Sequence, residues 1–297
     1  MDKLTIVVST DNHFIVLLAA LLKSLEGNLA KGKQLHIYII SNNVTNRNKQ
    51  RLQSSISAAI TQLSWVEMND VIPKGMQLPV DGSSYPLNIY MRLFIPYFVP
   101  NTIDKVLYLD VDMIVQNDVS ILFDTDLSNH VLAAVLDPRI ITFNNNWGGV
   151  FNYEALGIAG DTRYFNTGIL LMNTAKWRAE NVTERIISCI ENNKKFANYP
   201  DQYGLNVVLA NQWLELDPRW NHFSTIDPTV KPYLIHFVER KPIYQSYNYN
   251  ADFKNTFYAY LNQTAWKNFQ PIGESSRYIK KINNLLEKFK KKLFPTR

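Results

Sequence analysis

The sequence predicts an α/β fold: one large domain followed by a helical, basic tail. Three observations carry this. Short apolar runs alternate with helical stretches from the first residues onward, two of those runs end in acids, and residues 277–297 turn to lysines and isolated apolar side chains. Strands alternating with helices imply a parallel sheet, and open sheets of that kind bind ligands beyond the carboxyl ends of their strands.

Taken in order, "TIVVST" is a buried-strand run, Asp11 and Asn12 are candidate N-caps, and "FIVLLAALLKSL" is a helix without breakers. "LHIYIISNN" reads as a second strand, "NRNKQRLQSSISAAI" as a helix, and "LSWVEMN" as a third strand. A Pro/Gly-punctuated loop, "VIPKGMQLPVDGSSYP", leads into a helix around "NIYMRLFIPYF". Three more strand-like runs follow, "KVLYLDVDMIV", "VLAAVLD" and "YFNTGILLMN". The Asn- and Gly-rich "FNNNWGGVFNYEALGIAGD" lies between the last two, and long loops of that kind serve as lids or binding loops. The division expected is residues 1–250 as a catalytic domain and 251–297 as a helical, basic segment.

The totals narrow the class. At 297 residues and 46% hydrophobic, the chain buries a large core. "FIVLLAALL" is about half of the ~18 residues that a membrane-spanning helix needs. Acids and a histidine precede that run and no small-residue cleavage site follows, so the chain reads as mature and cytoplasmic. A single cysteine, Cys189, excludes an internal disulfide and fits a reducing compartment. On that reading the N-x-Thr sequons at Asn43, Asn181 and Asn262 are incidental. Eight Lys or Arg and one acid, Glu287, fall in residues 277–297, so the net charge of +5 belongs to the tail. A slightly acidic body argues against nucleic acid as a partner.

"KVLYLDVDMIV" carries the chemistry. Asp110 and Asp112, one residue apart on an extended backbone, face the same side, and both can reach a hard cation such as Mg²⁺ or Mn²⁺. A cation held there would neutralise the charge that develops as a diphosphate leaves. The apolar run resumes after the acids, as a site at a strand-to-strand bend requires. Ser9, Thr10 and Asp11 close the first strand and should share the crevice. D-x-D alone is weak evidence, and a second copy, Asp124 to Asp126, reads as a loop or cap.

Six stretches in order, "VVSTDNHF", "YMRLFIP", "DKVLYLDVDMIV", "YFNTGILLMN", "YPDQYGLN" and "IHFVERKP", resemble glycosyltransferase family 8, the retaining GT-A transferases. The resemblance covers roughly residues 3 to 245. It implies a single Rossmann-like domain with a mixed central sheet, a UDP-sugar donor, Mn²⁺ (or Mg²⁺) and a glycan acceptor on lipid or protein. By the same resemblance, Asp110, Asp112 and His236 match metal ligands. Ser9, Thr10, Asp11 and His13 match positions around uracil and ribose, with Val111 and Lys241 also on the donor. Arg92, Asn166, Asp201 and Gln202 match positions around the donor sugar, and Asp137 one near the acceptor. The family's H-x-x-G-x-x-K-P-W departs here to "HFVERKPI", one residue shorter, with no glycine and with Ile243 for tryptophan; its DQD ends in Tyr203. Asp201 and the Gln202 amide are the groups nearest the sugar, and neither is an unambiguous nucleophile. A same-face route is therefore preferred over double displacement.

Two rival readings stand beside this one. A haloacid-dehalogenase-type phosphatase also places D-x-D after an apolar strand, but that motif opens its fold and comes with a later metal pair. A non-catalytic UDP-sugar binder would keep the fold and lose turnover. In the tail, Ile279, Ile282, Leu285, Leu286, Phe289 and Leu293 share one helical face among lysines. That face is either docked on the body or an anchor to an anionic membrane surface, and no motif of the site lies in the tail.

Overall fold

The computed structural model describes residues 3–79 and 85–293, the last three by backbone alone. Its strands are β1 (Lys3–Asp11), β2 (Gln34–Asn42), β3 (Thr61–Glu67), β4 (Lys105–Leu109), β5 (Met113–Val115), β6 (Leu132–Leu136), β7 (Phe165–Asn173), β8 (Leu214–Glu215), β9 (His222–Phe223) and β10 (Leu234–His236). The helices are α1 (Ile15–Asn28), α2 (Asn46–Gln53), α3 (Ile95–Phe98), α4 (Ser120–Phe123), α5 (Thr174–Ala179), α6 (Val182–Asn192), α7 (Pro200–Val208), α8 (Ala251–Leu261) and α9 (Glu274–Leu293). A 3₁₀ helix, Leu87–Phe94, precedes α3.

Seven strands form the main sheet, in the order β3-β2-β1-β4-β7-β6-β8, and three form a small one, β5-β10-β9. Strands β1 to β4 pair in parallel, as the βα alternation requires, whereas β7 runs antiparallel to both β4 and β6. The sheet is therefore mixed. Side chains alternate across it: Leu4, Ile6 and Val8 of β1 pack with α1 and α8, while Val7 packs with the 3₁₀ helix and with α5 to α7.

"KVLYLDVDMIV" is two strands. β4 ends at Leu109 and β5 begins at Met113, and the two belong to different sheets. The intervening Asp110 is tied to β7 by its N–H on the Gly168 carbonyl at 2.8 Å, and the Asp112 carbonyl accepts from Phe237 N–H at 2.8 Å. The acids thus mark the handover between sheets, and the apolar run resumes because β5 is buried in the second one.

Two local expectations change. The second helix, expected over 46–60, stops at Gln53, because the Ser54 and Ser55 hydroxyls donate back to the Arg51 carbonyl and Glu26 accepts from the Ser57 N–H. Asn12 caps no part of α1. Its Oδ1 accepts from Thr45 N–H and Asn48 Nδ2 at the start of α2, while Asp11 Oδ1 takes the His13 and Phe14 N–H groups just before α1. Asp126 accepts from Ser128 N–H at 2.9 Å, and Asp124 caps the C-terminus of α4, so the second D-x-D is a turn and a cap.

Candidate active site

The register Val8↔Leu109 sets Ser9–Asp11 beside Asp110–Asp112, and both line one cleft of about 810 Å³. Arg92, Val111, Asp137, Asn166, Gln202, His236 and Lys241 line it as well. Asp201 and His13 stand behind the wall, Asp201 through its ion pair with Arg92 and His13 through Tyr244 Oη at 2.9 Å. Thr10, Asp11 and Ser9 are buried, and the Ser9 hydroxyl has no hydrogen-bond partner among the described residues.

Asp110, Asp112 and His236 converge with their ligand atoms within 4.8 Å of one another. His236 Nε2 lies 3.4 Å from Asp112 Oδ1 and 3.9 Å from Asp110 Oδ2. Backbone geometry fixes the tautomer. Gly168 N–H can only donate, so the Asn166 atom 3.0 Å away is its oxygen. That oxygen also accepts from Asn221 Nδ2 at 2.8 Å, which turns Asn221 Oδ1 toward His236 Nδ1 at 2.9 Å. Nδ1 therefore carries a proton, and Nε2 is the atom that faces the two carboxylates. Acceptors opposed at these distances call for a cation or a proton between them. The separations suit one hard cation, whose opposite ligands stand about 4.2 Å apart at ~2.1 Å each. Gly168 is needed for this: a Cβ there would stand 2.6 Å from His236 Cε1 and 2.8 Å from Met113 Cε.

Arg92 organises the other side of the acids. Its NH2 is 2.9 Å from Asp110 Oδ1 and its Nε 3.2 Å from Asp201 Oδ2; NH1 donates to the Thr167 carbonyl, and the guanidinium lies 4.6 Å over the Tyr108 ring. Burial works against its charge, but Asp110, Tyr108 and Asp201 hold it protonated above its ordinary value. Tyr108 Oη also donates to Asp110 Oδ1 at 2.7 Å, so Oδ1 is committed and Oδ2 is the oxygen turned to the cluster. Burial raises the Asp201 carboxyl, with Arg92 opposing. Burial would raise Asp112 too, but the Lys241 ammonium and then His236 outweigh it and hold the carboxyl well below its usual range.

Lys241 pairs with Asp112 Oδ2 and donates to the Phe237 carbonyl at 2.6 Å. The departure between His236 and Lys241 has a structural answer. Glu239, in the place of the family's glycine, has φ +60°, the left-handed region that costs a side-chain-bearing residue roughly 1–2 kcal/mol. Its carboxylate is held by Arg139 and by Tyr249 Oη at 2.5 Å. A left-handed turn thus forms here with glutamate in place of glycine.

Farther in, Asn166 Nδ2 donates to Asp137 Oδ2 at 3.0 Å and to Gln202 Oε1 at 3.3 Å, and Gln202 Oε1 also accepts from Thr167 N–H at 3.2 Å. The register shift of β6 against β7 at Ala134/Val135 bends β7 so that Asn166 meets Asp137. On the rim, Tyr199 lies 5.8 Å from Tyr85 and 6.5 Å from Trp147, ring centre to ring centre, and Trp147 is 60% exposed.

Two contributors escaped the sequence reading. Asn221 carries no local signal beyond an asparagine in a turn. The tail, in which no part of the site was expected, lies on the site: Arg277, Lys280, Lys281 and Asn284 of α9 line the cleft, and Lys280 pairs with Asp11. The apolar stripe faces out, with Ile279 58%, Ile282 56% and Phe289 60% exposed; the side chain of Leu293 lies outside the described residues. No helix among the described residues is long and apolar enough to cross a membrane.

Residues 5–251 match the family described as Glycosyl transferase family 8. General stress protein A of Bacillus subtilis (strain 168) is 25% identical over 281 residues, 88% of this chain and 94% of that one. Lipopolysaccharide glucosyltransferase WaaO of Escherichia coli (strain K12) is 28% identical over 69% of this chain and 66% of its own length. The chain spans half or less of the pneumococcal glycosyltransferases GlyA, GlyB and GlyF that it also matches. In fold it is similar to the galactosyltransferase LgtC, solved with donor and acceptor sugar analogues, at a TM-score of 0.73 and 21% identity over 89% of this chain and 99% of that one. With a mixed α/β sheet shared with GT-A glycosyltransferases and a family match over most of its length, this chain belongs to glycosyltransferase family 8.

Proposed function

We propose that the chain is a metal-dependent, retaining hexosyltransferase that moves glucose or galactose from a UDP-sugar to a glycan or glycoconjugate acceptor. The observation that carries the reading is the convergence of Asp110, Asp112 and His236, with His236 oriented through Nδ1 by Asn221. A divalent ion, Mn²⁺ or Mg²⁺, bound by these three would screen the diphosphate and stabilise it as a leaving group. Lys241, five residues from His236, would follow the departing UDP with its ammonium. Ser9, whose buried hydroxyl has no partner among the described residues, with Thr10 and Asp11 would hold uridine, His13 supporting them from behind the wall through Tyr244, and Val111 between the acids would face the donor.

Asn166 and Gln202 present amides to the same space as Asp137, and Arg92 fixes Asp201 away from the cleft. A carboxylate paired to a buried guanidinium is a poor nucleophile, which supports a same-face route. The leaving diphosphate would then assist the acceptor proton, with Asn166 and Gln202 facing the positive sugar and Asp201 acting only from behind the wall through Arg92. Asp137 and the Trp147–Tyr199–Tyr85 rim would receive the acceptor, since sugar rings stack on aromatic faces as they do in other apolar, sparsely polar pockets. WaaO and LgtC, named for glucosyl and galactosyl transfer, favour those two hexoses.

Purified protein offered a panel of UDP-sugars should release UDP slowly into water with one of them, only with Mn²⁺ or Mg²⁺, and should leave an aryl phosphate intact. Binding of a UDP-sugar with metal and no turnover on any acceptor would instead support the non-catalytic relative. Hydrolysis of the aryl phosphate would sink the transferase reading.

The reading extends to location: residues 1–250 catalytic, residues 251–297 accessory, and the protein cytoplasmic and peripheral on an anionic membrane. The outward stripe of α9 supports the anchor, with each lysine near an anionic leaflet contributing on the order of 1 kcal/mol. The doubly substituted Ile282→Asp, Phe289→Asp protein should lose sedimentation with phosphatidylserine vesicles at low salt while still binding UDP. Sedimentation equal to that of the unsubstituted protein removes the anchor.

A further inference from the structure

Helix α9 docks on the body by its polar side. Asn42 Nδ2 donates to Glu287 Oε1 at 3.2 Å, Lys280 pairs with Asp11, and Asn284 and Lys288 are buried. With the helix in place the cleft keeps about 810 Å³, within the ~300–1,000 Å³ of ligand pockets, so α9 is a wall and not a plug. Among the cations lining that cleft, Arg92, Arg139, Lys241, Arg277 and Lys280 are each paired with a carboxylate. Lys281 also lines it, is exposed, and has no hydrogen-bond or ion-pair partner among the described residues. An anion entering the cleft meets one uncommitted ammonium, and it comes from the tail.

We propose that α9 is part of the donor subsite: Lys281 contacts the phosphates of the nucleoside diphosphate, and Lys280 neutralises Asp11 so that this acid does not repel them. The proposal rests on the UDP-sugar reading above and adds a contact which that reading does not require. Both lysines act through charge, so their effect should scale with the charge of the ligand and fall with salt.

Calorimetric titration of the full chain in Mn²⁺ buffer, with UDP and with uridine, separates the possibilities. Lys281→Glu should weaken UDP on the order of tenfold at low salt, leave uridine unchanged, and recover most of the difference at high salt. Lys290→Glu, the same charge change at an exposed position of α9 that does not line the cleft, should match the unsubstituted protein with both ligands. UDP binding by Lys281→Glu equal to that of Lys290→Glu overturns the proposal. So does equal weakening of UDP and uridine, which would mean that the helix has shifted and no charge contact was lost. If the unsubstituted protein binds no UDP, the donor reading itself has failed, and that failure is visible without any variant.

Discussion

Asp112→Asn should abolish transfer and donor hydrolysis, by about 10³-fold or more, while the far-UV circular dichroism stays that of the parent. The carboxylate faces His236 Nε2 with Oδ1 and Lys241 with Oδ2, so the amide takes one negative charge from the cation site and the counter-ion from the lysine. A metal ion on a developing diphosphate contributes several kcal/mol, and ~4 kcal/mol corresponds to ~10³ in rate. Asp110→Asn should act in the same direction through Oδ2, because Oδ1 is already held by Arg92 and Tyr108. Near-parental turnover of either variant at limiting Mn²⁺ would end the metal-clamp reading.

Arg92→Ala should be the largest single loss of stability, roughly 3–5 kcal/mol near neutral pH and on the order of 10 °C in Tm. Arg92 is 4% exposed and joins Asp110, Asp201 and the Thr167 carbonyl. Removing it leaves Asp201 buried without a counter-ion, and burial already raises that carboxyl. A carboxyl whose folded value lies above its unfolded value contributes stability below the unfolded value and loses it as pH rises through the folded one. The deficit of Arg92→Ala against the parent should therefore narrow as pH falls from 8 to about 5, as Asp201 takes up a proton. Chemical denaturation at several pH values checks this; a deficit independent of pH would assign Arg92 a packing role only.

The sequence made much of the sheet legible, because β1, β2 and β7 are long apolar or alternating runs that report burial directly, whereas β3 is shorter and only partly buried. The two-residue strands β8 and β9 carry no period and were invisible. The resemblance implied only that the sheet is mixed; that β7 is the strand that reverses was not legible, since a buried strand reads the same in either direction. At the site, the acids of "LDVD" stood out because they interrupt an apolar run that then resumes, a context the second D-x-D at Asp124 to Asp126 lacks. Asn221 did not, because it acts only through Asn166 and His236, which lie 55 and 15 residues away. Glu239 looked like a damaged motif, and only its φ shows that a left-handed turn, the kind glycine adopts most readily, forms there. The tail shows the same limit. Its pattern specified an amphipathic helix, but which face turns inward is decided by Asp11 and Asn42, 269 and 245 residues upstream.

That separation has a temporal side. A ribosome adding about 5–20 residues per second delivers Lys280 on the order of ten seconds to a minute after Asp11. Strands β1 to β3 can pair within that interval, and Asp11 meanwhile has no ammonium beside it. Loop closure over such a span costs little more than over a shorter one, about 0.6 kcal/mol per doubling, so the late contact is slow in arrival and not weak in equilibrium. In a growing chain the Asp11 side of the cleft therefore carries one more uncompensated negative charge than it does once α9 has docked. On the donor-subsite proposal, a chain that has not yet made α9 should bind a nucleoside diphosphate more weakly than one that has.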